Sequence, residues 1–233
     1  MHTIDTLALT LGVGWASGIN LYAAIFVLGY LGMTGDVVLP PGLEVLSNPL
    51  VMGVAGMMYC IEFFADKTPG VDTGWDTLHT FIRIPAGAVL AAGAASGFEV
   101  NQAAELAAAL VGGTLAAGSH FTKAGTRLLI NTSPEPVTNW TASILEDLAV
   151  IGGLWTSLHY PIAFIVLLVL FIALVIWLMP KLWRALKRLF QRLGRFFGGK
   201  GEPAAQPDTH ATRAETLKAL FTDSGNAPDS SKK

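Results

Sequence analysis

The sequence contains few charged residues and almost no cysteine. Charged residues make up 14% of the 233 residues, and the single cysteine, Cys60, excludes an intramolecular disulfide. The opening MHTID lacks the basic residues of a cleaved signal peptide, so we expect the first apolar run to be retained as a membrane helix. Hydrophobic residues reach 52% and the mean hydropathy is +0.51. This composition is typical of a membrane protein and excludes an ordinary soluble domain.

Apolar runs of nearly the roughly 20 residues that cross a bilayer occur along most of the chain. They cover residues 6–32, 49–65, 83–98, 103–122, 140–158 and 161–179. We therefore predict an all-α, polytopic membrane protein with about six transmembrane helices. Because Arg83 and the pair Glu146 and Asp147 lie in or against two of these runs, four spans with two re-entrant segments, at 72–83 and 140–147, are an alternative.

Basic residues are absent from three of the connecting segments. These are residues 33–48, 99–102 and 159–160. In a six-span chain the remaining basic residues all fall on the other face of the membrane: Lys67, Arg83, Lys123, Arg127 and those that follow Met179. Because basic residues near membrane ends stay in the cytoplasm, we expect both termini to be cytoplasmic.

Small residues indicate which helices lie at the centre. The stretches GAVLAAGAASG (87–97) and AAELAAALVGGTLAAG (103–118) carry Gly and Ala at spacings that let helix backbones approach closely, so these two helices are expected to pack together. The stretch GVGWASGINLY (12–22) places three glycines beside Ser17 and Asn20. It predicts either a kinked helix with open backbone groups or ordinary close packing.

The composition changes after the last apolar run. Residues 1–179 form the predicted transmembrane domain, and residues 180–200 alternate basic and apolar side chains at helical spacing. We interpret 180–200 as an amphipathic helix on the membrane surface, where residues 181–200 contact anionic lipid headgroups rather than nucleic acid. The tail 201–233 is rich in Pro, Ala, Ser and Asp and is predicted to be disordered.

Much of the charge is concentrated in one segment, EFFADKTPGVDTGWDTLHTFIR (62–83). Its Pro-Gly pair is expected to end one helix just before the next begins. The polar side chains of the second helix follow at steps of four, three and four and therefore share one face: Asp72, Asp76, His79 and Arg83. Asp66, Lys67 and Asp72 are alternatively helix caps, and His79 and His159 polar anchors at the membrane surface.

The second half of the chain repeats this plan with the signs largely exchanged. His120, Lys123 and Arg127 precede a Pro-containing turn, and Glu146 and Asp147 follow it. We infer a divergent internal repeat whose two halves neutralise each other's charges. The predicted pairs are Glu62 or Asp66 with Lys123 or Arg127, and Arg83 with Glu146 or Asp147.

These motifs resemble those of a bacterial domain-of-unknown-function family of integral membrane proteins. The resemblance is carried by EFFADKTPGVDTGWD (62–76), by the pattern H-x-x-K-x-x-x-R from His120, and by N-x-S-P-E-P and S-x-x-E-D after it. It covers about residues 10–160. It implies a multi-pass protein of the bacterial inner (cytoplasmic) membrane, and it brings no known activity.

Three functions fit this pattern. The first is a transporter or channel for a small solute or ion that uses the buried charges. The second is a membrane scaffold or assembly factor in which the charges are structural. The third is an enzyme acting on a lipid phosphate, with a divalent cation at Asp66, Asp72 and Asp76 and the phosphate at Lys123 and Arg127. The leading function is transport, without a cofactor or catalytic residue, in a possible homo-oligomer; whether a metal binds is open. The candidate substrate- or ion-binding residues are Asn20, Glu62, Asp66, Asp72, Asp76, Arg83, His120, Lys123, Arg127, Glu146 and Asp147.

Overall fold

The computed structural model describes residues 3–68, 70–96, 102–131, 136–197 and 217–218. Over these residues the chain is helical and contains no strand, so the all-α prediction is confirmed. The six long helices are α1 (Thr3–Thr34), α2 (Pro49–Ala65), α3 (Val71–Ala95), α4 (Gln102–Ile130), α5 (Pro136–His159) and α6 (Pro161–Phe197). A short 3₁₀ helix, Pro41–Ser47, precedes α2. The chain divides into two units, Met1–Leu186 and Lys187–Lys233, and the first is described below.

Helix α1 lies at the centre of the bundle. It packs against α2, α3, α4 and α5, and α3 and α4 pack along each other. Small side chains permit this packing: a Cβ atom added to Gly14 would lie 2.7 Å from the Cα atom of Gly112 in α4. A Cβ atom on Gly112 would in turn lie 2.8 Å from the backbone oxygen of Gly87 in α3. The predicted contact between the two Gly- and Ala-rich helices is therefore confirmed.

The turn between α2 and α3 follows from its glycine. Gly70 has φ +87°, a left-handed conformation that L side chains rarely adopt, and α3 begins at the next residue. The predicted helix break at the Pro-Gly pair is confirmed on the glycine side, since Pro69 lies outside the described residues. This turn places the charged end of α2 beside the charged beginning of α3.

Polar and apolar side chains are distributed opposite to those of a soluble protein. Charged residues such as Glu62, Arg83 and Arg127 are fully buried. Large apolar residues such as Phe81, Leu110 and Ile176 are exposed, and the apolar part of α6 is largely uncovered. An apolar exterior around a polar interior suits a hydrocarbon solvent.

Within the part of the chain that the structure describes, three helices are long and apolar enough to cross a membrane: Thr3–Thr34, Val71–Ala95 and Pro161–Arg188. A fourth span results if the 3₁₀ helix and α2, bent by 70°, count as one. Helices α4 and α5 are long enough but are not apolar enough to be counted, and charged residues interrupt the apolar runs of both. The predicted count of six is not confirmed, although α3 and α5 each run unbroken through residues 72–83 and 140–147.

Helix α6 continues through Pro180 to Phe197, so it includes most of the predicted basic segment 180–200. The structure provides no test of the membrane contact predicted for that segment. Apart from residues 217–218, the tail 201–233 lies outside the described residues. The internal repeat also remains a prediction.

Candidate functional site

The charged residues of both halves of the chain meet in the interior of the bundle. Helix α2 brings Glu62 and Asp66, α3 brings Asp76 and Arg83, α4 brings Lys123 and Arg127, and α5 brings Glu146 and Asp147. We call these eight residues the charge network. All are buried except Glu146, whose side chain is 19% exposed.

Lys123 lies at the centre of the charge network. Its ammonium nitrogen lies 2.8 Å from Asp66 Oδ2 and 3.3 Å from Glu62 Oε1. It also lies 3.5 Å from Glu146 Oε2 and 3.8 Å from Asp76 Oδ1. The predicted pairing of Glu62 or Asp66 with Lys123 or Arg127 is confirmed.

Arg83 pairs with different carboxylates from those predicted. Its guanidinium lies 2.5 Å from Glu62 Oε1 and 3.1 Å from Asp76 Oδ1. The predicted pairing with Glu146 or Asp147 is wrong. Asp76 precedes Arg83 by seven residues, or about two helical turns on the same face of α3, so a partner was available on the same helix.

Arg127 joins α4 to α5 and to the end of α2. Its Nε and Nη2 atoms donate to the two carboxylate oxygens of Glu146 at 3.0 and 2.7 Å. Its Nη1 atom donates to the backbone oxygen of Asp66 at 3.0 Å and to two oxygens of Asn139 at 3.1 Å. A bidentate pair of this kind fixes the orientation of both side chains.

Helix α1 is broken at Asn20 in the middle of its apolar run. Asn20 has φ −146° and ψ 96°, which are not helical. Its side-chain oxygen accepts the backbone N–H of Ala23 at 2.9 Å, so Asn20 is the N-cap of the second half of the helix. The kinked-helix interpretation of the first span is confirmed.

The two ends created by this break each meet a charged residue of opposite sign. The first half ends at Ile19, whose backbone oxygen accepts from the Lys123 ammonium at 3.2 Å. The second half begins at Asn20, whose side-chain nitrogen donates to Asp147 Oδ1 at 3.0 Å. A cation is therefore placed at a helix C terminus and a carboxylate at a helix N terminus, as the helix dipole favours.

Asp72 lies outside the charge network. Its two carboxylate oxygens both accept from Asn131 Nδ2 at 2.8 Å, and Oδ1 also accepts the backbone N–H groups of Gly70 and Thr73. Asp72 thus stabilises the turn before α3, as the capping interpretation holds. The suggested cation site at Asp66, Asp72 and Asp76 is wrong, because no group of three suitable ligands exists among the described residues.

His120 lies beside the charge network with a defined proton position. Its Nδ1 atom lies 3.3 Å from Arg83 Nη1, and its Nε2 atom lies 2.7 Å from Thr80 Oγ1. Because arginine only donates, Nδ1 must accept, and the ring proton sits on Nε2, which donates to Thr80. This arrangement fits a neutral imidazole.

Three residues that were not predicted as site residues contact the charge network or the residues beside it. Tyr22 donates its hydroxyl to His79 Nε2 at 3.0 Å, because His79 Nδ1 is used by the backbone oxygen of Trp75. His79 is buried, so it is not a polar anchor at the membrane surface. Asn139 accepts a hydrogen bond from Arg127, and Ser143 accepts one from Lys67. The signal for Tyr22 was its position two residues after Asn20 in a glycine-rich helix.

Lys67 is buried at the end of α2 without an ion pair to a described carboxylate. Its ammonium lies 2.8 Å from the ring centre of Phe63 and 5.3 Å from that of Trp140. It also donates to the backbone oxygen of Phe63 and to Ser143 Oγ, at 3.1 and 3.3 Å. Burial lowers the pKa of this ammonium, because the surrounding rings replace water.

Several carboxylate oxygens in the charge network have no hydrogen-bond partner among the described residues. One such oxygen belongs to each of four residues: Glu62, Asp66, Asp76 and Asp147. Buried oxygens of this kind are costly, so the network can accept further protons, water or a ligand without rearrangement of its ion pairs.

Two cavities reach the charge network from different sides of α4. A cavity of about 240 Å³ between α1, α4, α5 and α6 is lined by Lys123 and Glu146. A second cavity, of about 450 Å³, lies between α3, α4 and α6 and is lined by Asp76. Lys123, which lines the first cavity, lies 3.8 Å from Asp76, which lines the second.

The chain belongs to a family of proteins defined by a domain of unknown function, DUF4126, whose sequence model matches residues 7–181. The resemblance to a domain-of-unknown-function family is thereby confirmed, and the match extends beyond the 10–160 expected. No curated protein and no solved structure matches the chain.

Proposed function

We propose that this protein is a transporter for a small solute or ion, with six membrane spans and both termini in the cytoplasm. The observation that carries the proposal is the break in α1 at Asn20. Membrane transporters bind substrates and coupling ions at discontinuous helices, where backbone groups freed from the helix face charged ligands. Here the freed oxygen of Ile19 and the cap of Asn20 are held by Lys123 and Asp147.

The six-span arrangement assigns a role to each long helix. Five of the six apolar runs lie within a helix, the run 83–98 lies in α3 as far as Ala95, and α2 has the predicted limits, Pro49 and Ala65. Helices α4 and α5 span the membrane because their buried charged residues face the interior, which lowers the cost of burying them. Lys123, Arg127 and Glu146 are ion-paired there, and Asp147 is hydrogen-bonded to Asn20. The basic connections then lie in the cytoplasm of a bacterial cell, and residues 181–200 lie on its anionic lipids.

The transport mechanism follows from the position of Lys123. Its ammonium bonds to the backbone oxygen at the break in α1 and to two carboxylates of the first half. A substrate or ion that enters from the cavity beside Glu146 competes for these carboxylates. Movement of Lys123 then connects that cavity to the one beside Asp76, and its return closes the path.

The test is flux across liposomes that contain the purified protein. Protons and small ions are offered in turn under an imposed gradient, and the internal concentration is followed with an ion-sensitive dye. Lys123→Met should reduce flux to that of empty liposomes, because it removes the central cation. The control is Leu167→Ala on the exposed face of α6, which should retain flux. Equal flux in the wild-type protein and in Lys123→Met would contradict the proposal.

A scaffold is the second candidate, and the closed packing of the network favours it. Arg83 and Arg127 are both fully buried, and each forms an ion pair on at least two sides. In that case Arg83→Gln would change stability and assembly with other membrane proteins, and liposomes would show no flux of any ion offered. Flux in the wild-type protein would reject the scaffold as its main role.

A further inference from the structure

The buried charges do not balance. The charge network and Lys67 together contain five carboxylates and four cations, which leaves one excess negative charge among these nine residues when all are ionised. Asp72 is also buried, but it lies outside the network and accepts hydrogen bonds from Asn131, Gly70 and Thr73. The carboxylates are Glu62, Asp66, Asp76, Glu146 and Asp147, and the cations are Lys67, Arg83, Lys123 and Arg127. His79 and His120 do not supply the missing charge, because their hydrogen bonds fit neutral rings. A single unbalanced charge in an apolar surrounding is unfavourable and calls for one bound cation.

Asp147 is the carboxylate that lacks a cation. The other four form ion pairs with Arg83, Lys123 or Arg127, whereas Lys67 acts on Asp147 only from beyond ion-pair distance. Asp147 forms none with a described residue, and it is 93% buried, since 7% of its surface is exposed. Its Oδ1 atom accepts from Asn20, and the Tyr59 hydroxyl of α2 also faces the carboxylate. No described group meets hydrogen-bond geometry at the buried Oδ2 atom.

The orientation of Asn20 shows which cation fits. Its side-chain oxygen is used by the N–H of Ala23, so the group that faces Asp147 is the NH₂ donor and not an oxygen. A metal ion needs several ligands, and the described residues provide no group of three or more His, Cys, Asp or Glu side chains that could hold one. A proton needs only one lone pair, which Oδ2 has free.

We propose that Asp147 is an exchangeable proton-binding site, and that this proton is transported or coupled to transport; the second part rests on the proposed function. In the protonated state Oδ1 is the carbonyl oxygen that accepts from Asn20, and Oδ2 carries the proton. Uptake forms one O–H bond at Oδ2 with a proton from water, and release returns it to water. No other bond changes.

Groups on every neighbouring element bear on this proton. Asn20 faces Asp147 from α1, Tyr59 from α2, and Lys123 from α4, while Lys67 and Asp66 face it from the end of α2. Glu146 is its neighbour on α5. The cations and the N terminus of the second half of α1 support the carboxylate after the proton leaves, whereas Asp66 and burial favour the acid. Opposing influences of this kind allow both states.

Loss of the proton from Asp147 also affects the break in α1. The new carboxylate attracts Lys123, which in the described structure bonds to the oxygen of Ile19 and to Asp66. Movement of Lys123 toward Asp147 would leave that backbone oxygen free for another ligand. Protonation of Asp147 is thereby linked to the opening of the break in α1.

The experiment is infrared spectroscopy of the purified full-length protein in lipid, as a difference between acidic and alkaline samples in H₂O and D₂O. A protonated carboxylic acid gives a carbonyl band above the carboxylate bands, and this band shifts in D₂O. We expect the band in the wild-type protein, its loss in Asp147→Asn and its retention in Glu146→Gln. Loss of the band in Glu146→Gln with retention in Asp147→Asn would overturn the assignment, as would absence of the band in the wild-type protein.

A second variant keeps the test decisive if Asp147→Asn does not fold. Asn20→Ser retains a side-chain cap oxygen but lacks the amide that donates to Asp147 Oδ1. The carbonyl band should therefore move to higher frequency in Asn20→Ser, and an unmoved band would exclude Asp147 as its source. The band is measured without transport, so an Asp147 band in a protein without flux supports the proton site and rejects the transporter. Flux in a protein that lacks the band supports the transporter and rejects the proton site.

Discussion

The ammonium of Lys123 on α4 bonds to the backbone oxygen of Ile19 in the middle of α1, at 3.2 Å. That oxygen is open because the next residue, Asn20, leaves the helical conformation. The same ammonium lies 2.8 Å from Asp66 Oδ2 at the end of α2. One cation thus ties the break in the central helix to the carboxylates of the first half, and a change at either end affects the other.

The break in α1 is expected to depend on the cap that Asn20 provides. Asn20→Ala removes the oxygen that accepts from Ala23 and the amide that donates to Asp147, so the free energy of unfolding should fall by about 1 kcal/mol for the cap and about 1–3 kcal/mol for the unpaired carboxylate. Asn20→Ser keeps the cap and should lose less. Chemical unfolding in detergent measures both, and equal losses would mean that the cap contributes nothing.

Arg83 and Glu62 are expected to be energetically coupled. Their 2.5 Å ion pair is fully buried. Arg83→Gln leaves Glu62 with Lys123 alone, and Glu62→Gln leaves Arg83 with Asp76 alone, so each variant breaks a buried pair and should cost about 3–5 kcal/mol. The double variant should cost less than the sum of the two single variants. The control pairs Arg83→Gln with Glu44→Gln, an exposed residue of the 3₁₀ helix, where the losses should add. Additive losses for Arg83 and Glu62 would show that their contact carries no energy.

The helices and the residues of the site followed largely from the sequence, since apolar runs and charge spacing are local patterns. The limits of α2 were predicted in this way, and the break in the first span was one of two alternatives that the sequence left open. The partner of Arg83 could not be predicted, because the sequence allows an ion pair with either Asp76 or Glu146 and only packing decides between them. Asn139 was missed for a similar reason: its contacts with Arg127 and Asn131 require the start of α5 to lie beside the end of α4.

Close packing of α1 on α4 is expected to tolerate no side chain at Gly14. A Cβ atom there would lie 2.7 Å from the Cα atom of Gly112, so Gly14→Ala should force the helices apart and lower the unfolding temperature in detergent. Gly118→Ala in α4 is the matched control, because its Cβ atom would meet nothing within 4 Å. It should leave stability unchanged or raise it by up to about 1 kcal/mol, since alanine favours the helix. Similar unfolding temperatures in the two variants would contradict the described contact between α1 and α4.

The six-span arrangement is expected to place the connections alternately on the two faces of the membrane. Reporters of membrane side can be fused after Lys233 and inserted at Gly35, in 97–101 and in 132–135, which avoids the described helices. Because basic residues stay in the cytoplasm, the first and last of these positions should report cytoplasm and the two between them periplasm. The pair 97–101 and 132–135 separates the two arrangements. Re-entrant segments at 72–83 and 140–147 would leave four spans and exchange the two sides, so that 97–101 reports cytoplasm and 132–135 periplasm. The same side at both positions would mean that α4 does not cross the membrane. A periplasmic signal after Lys233 would reject the orientation as well.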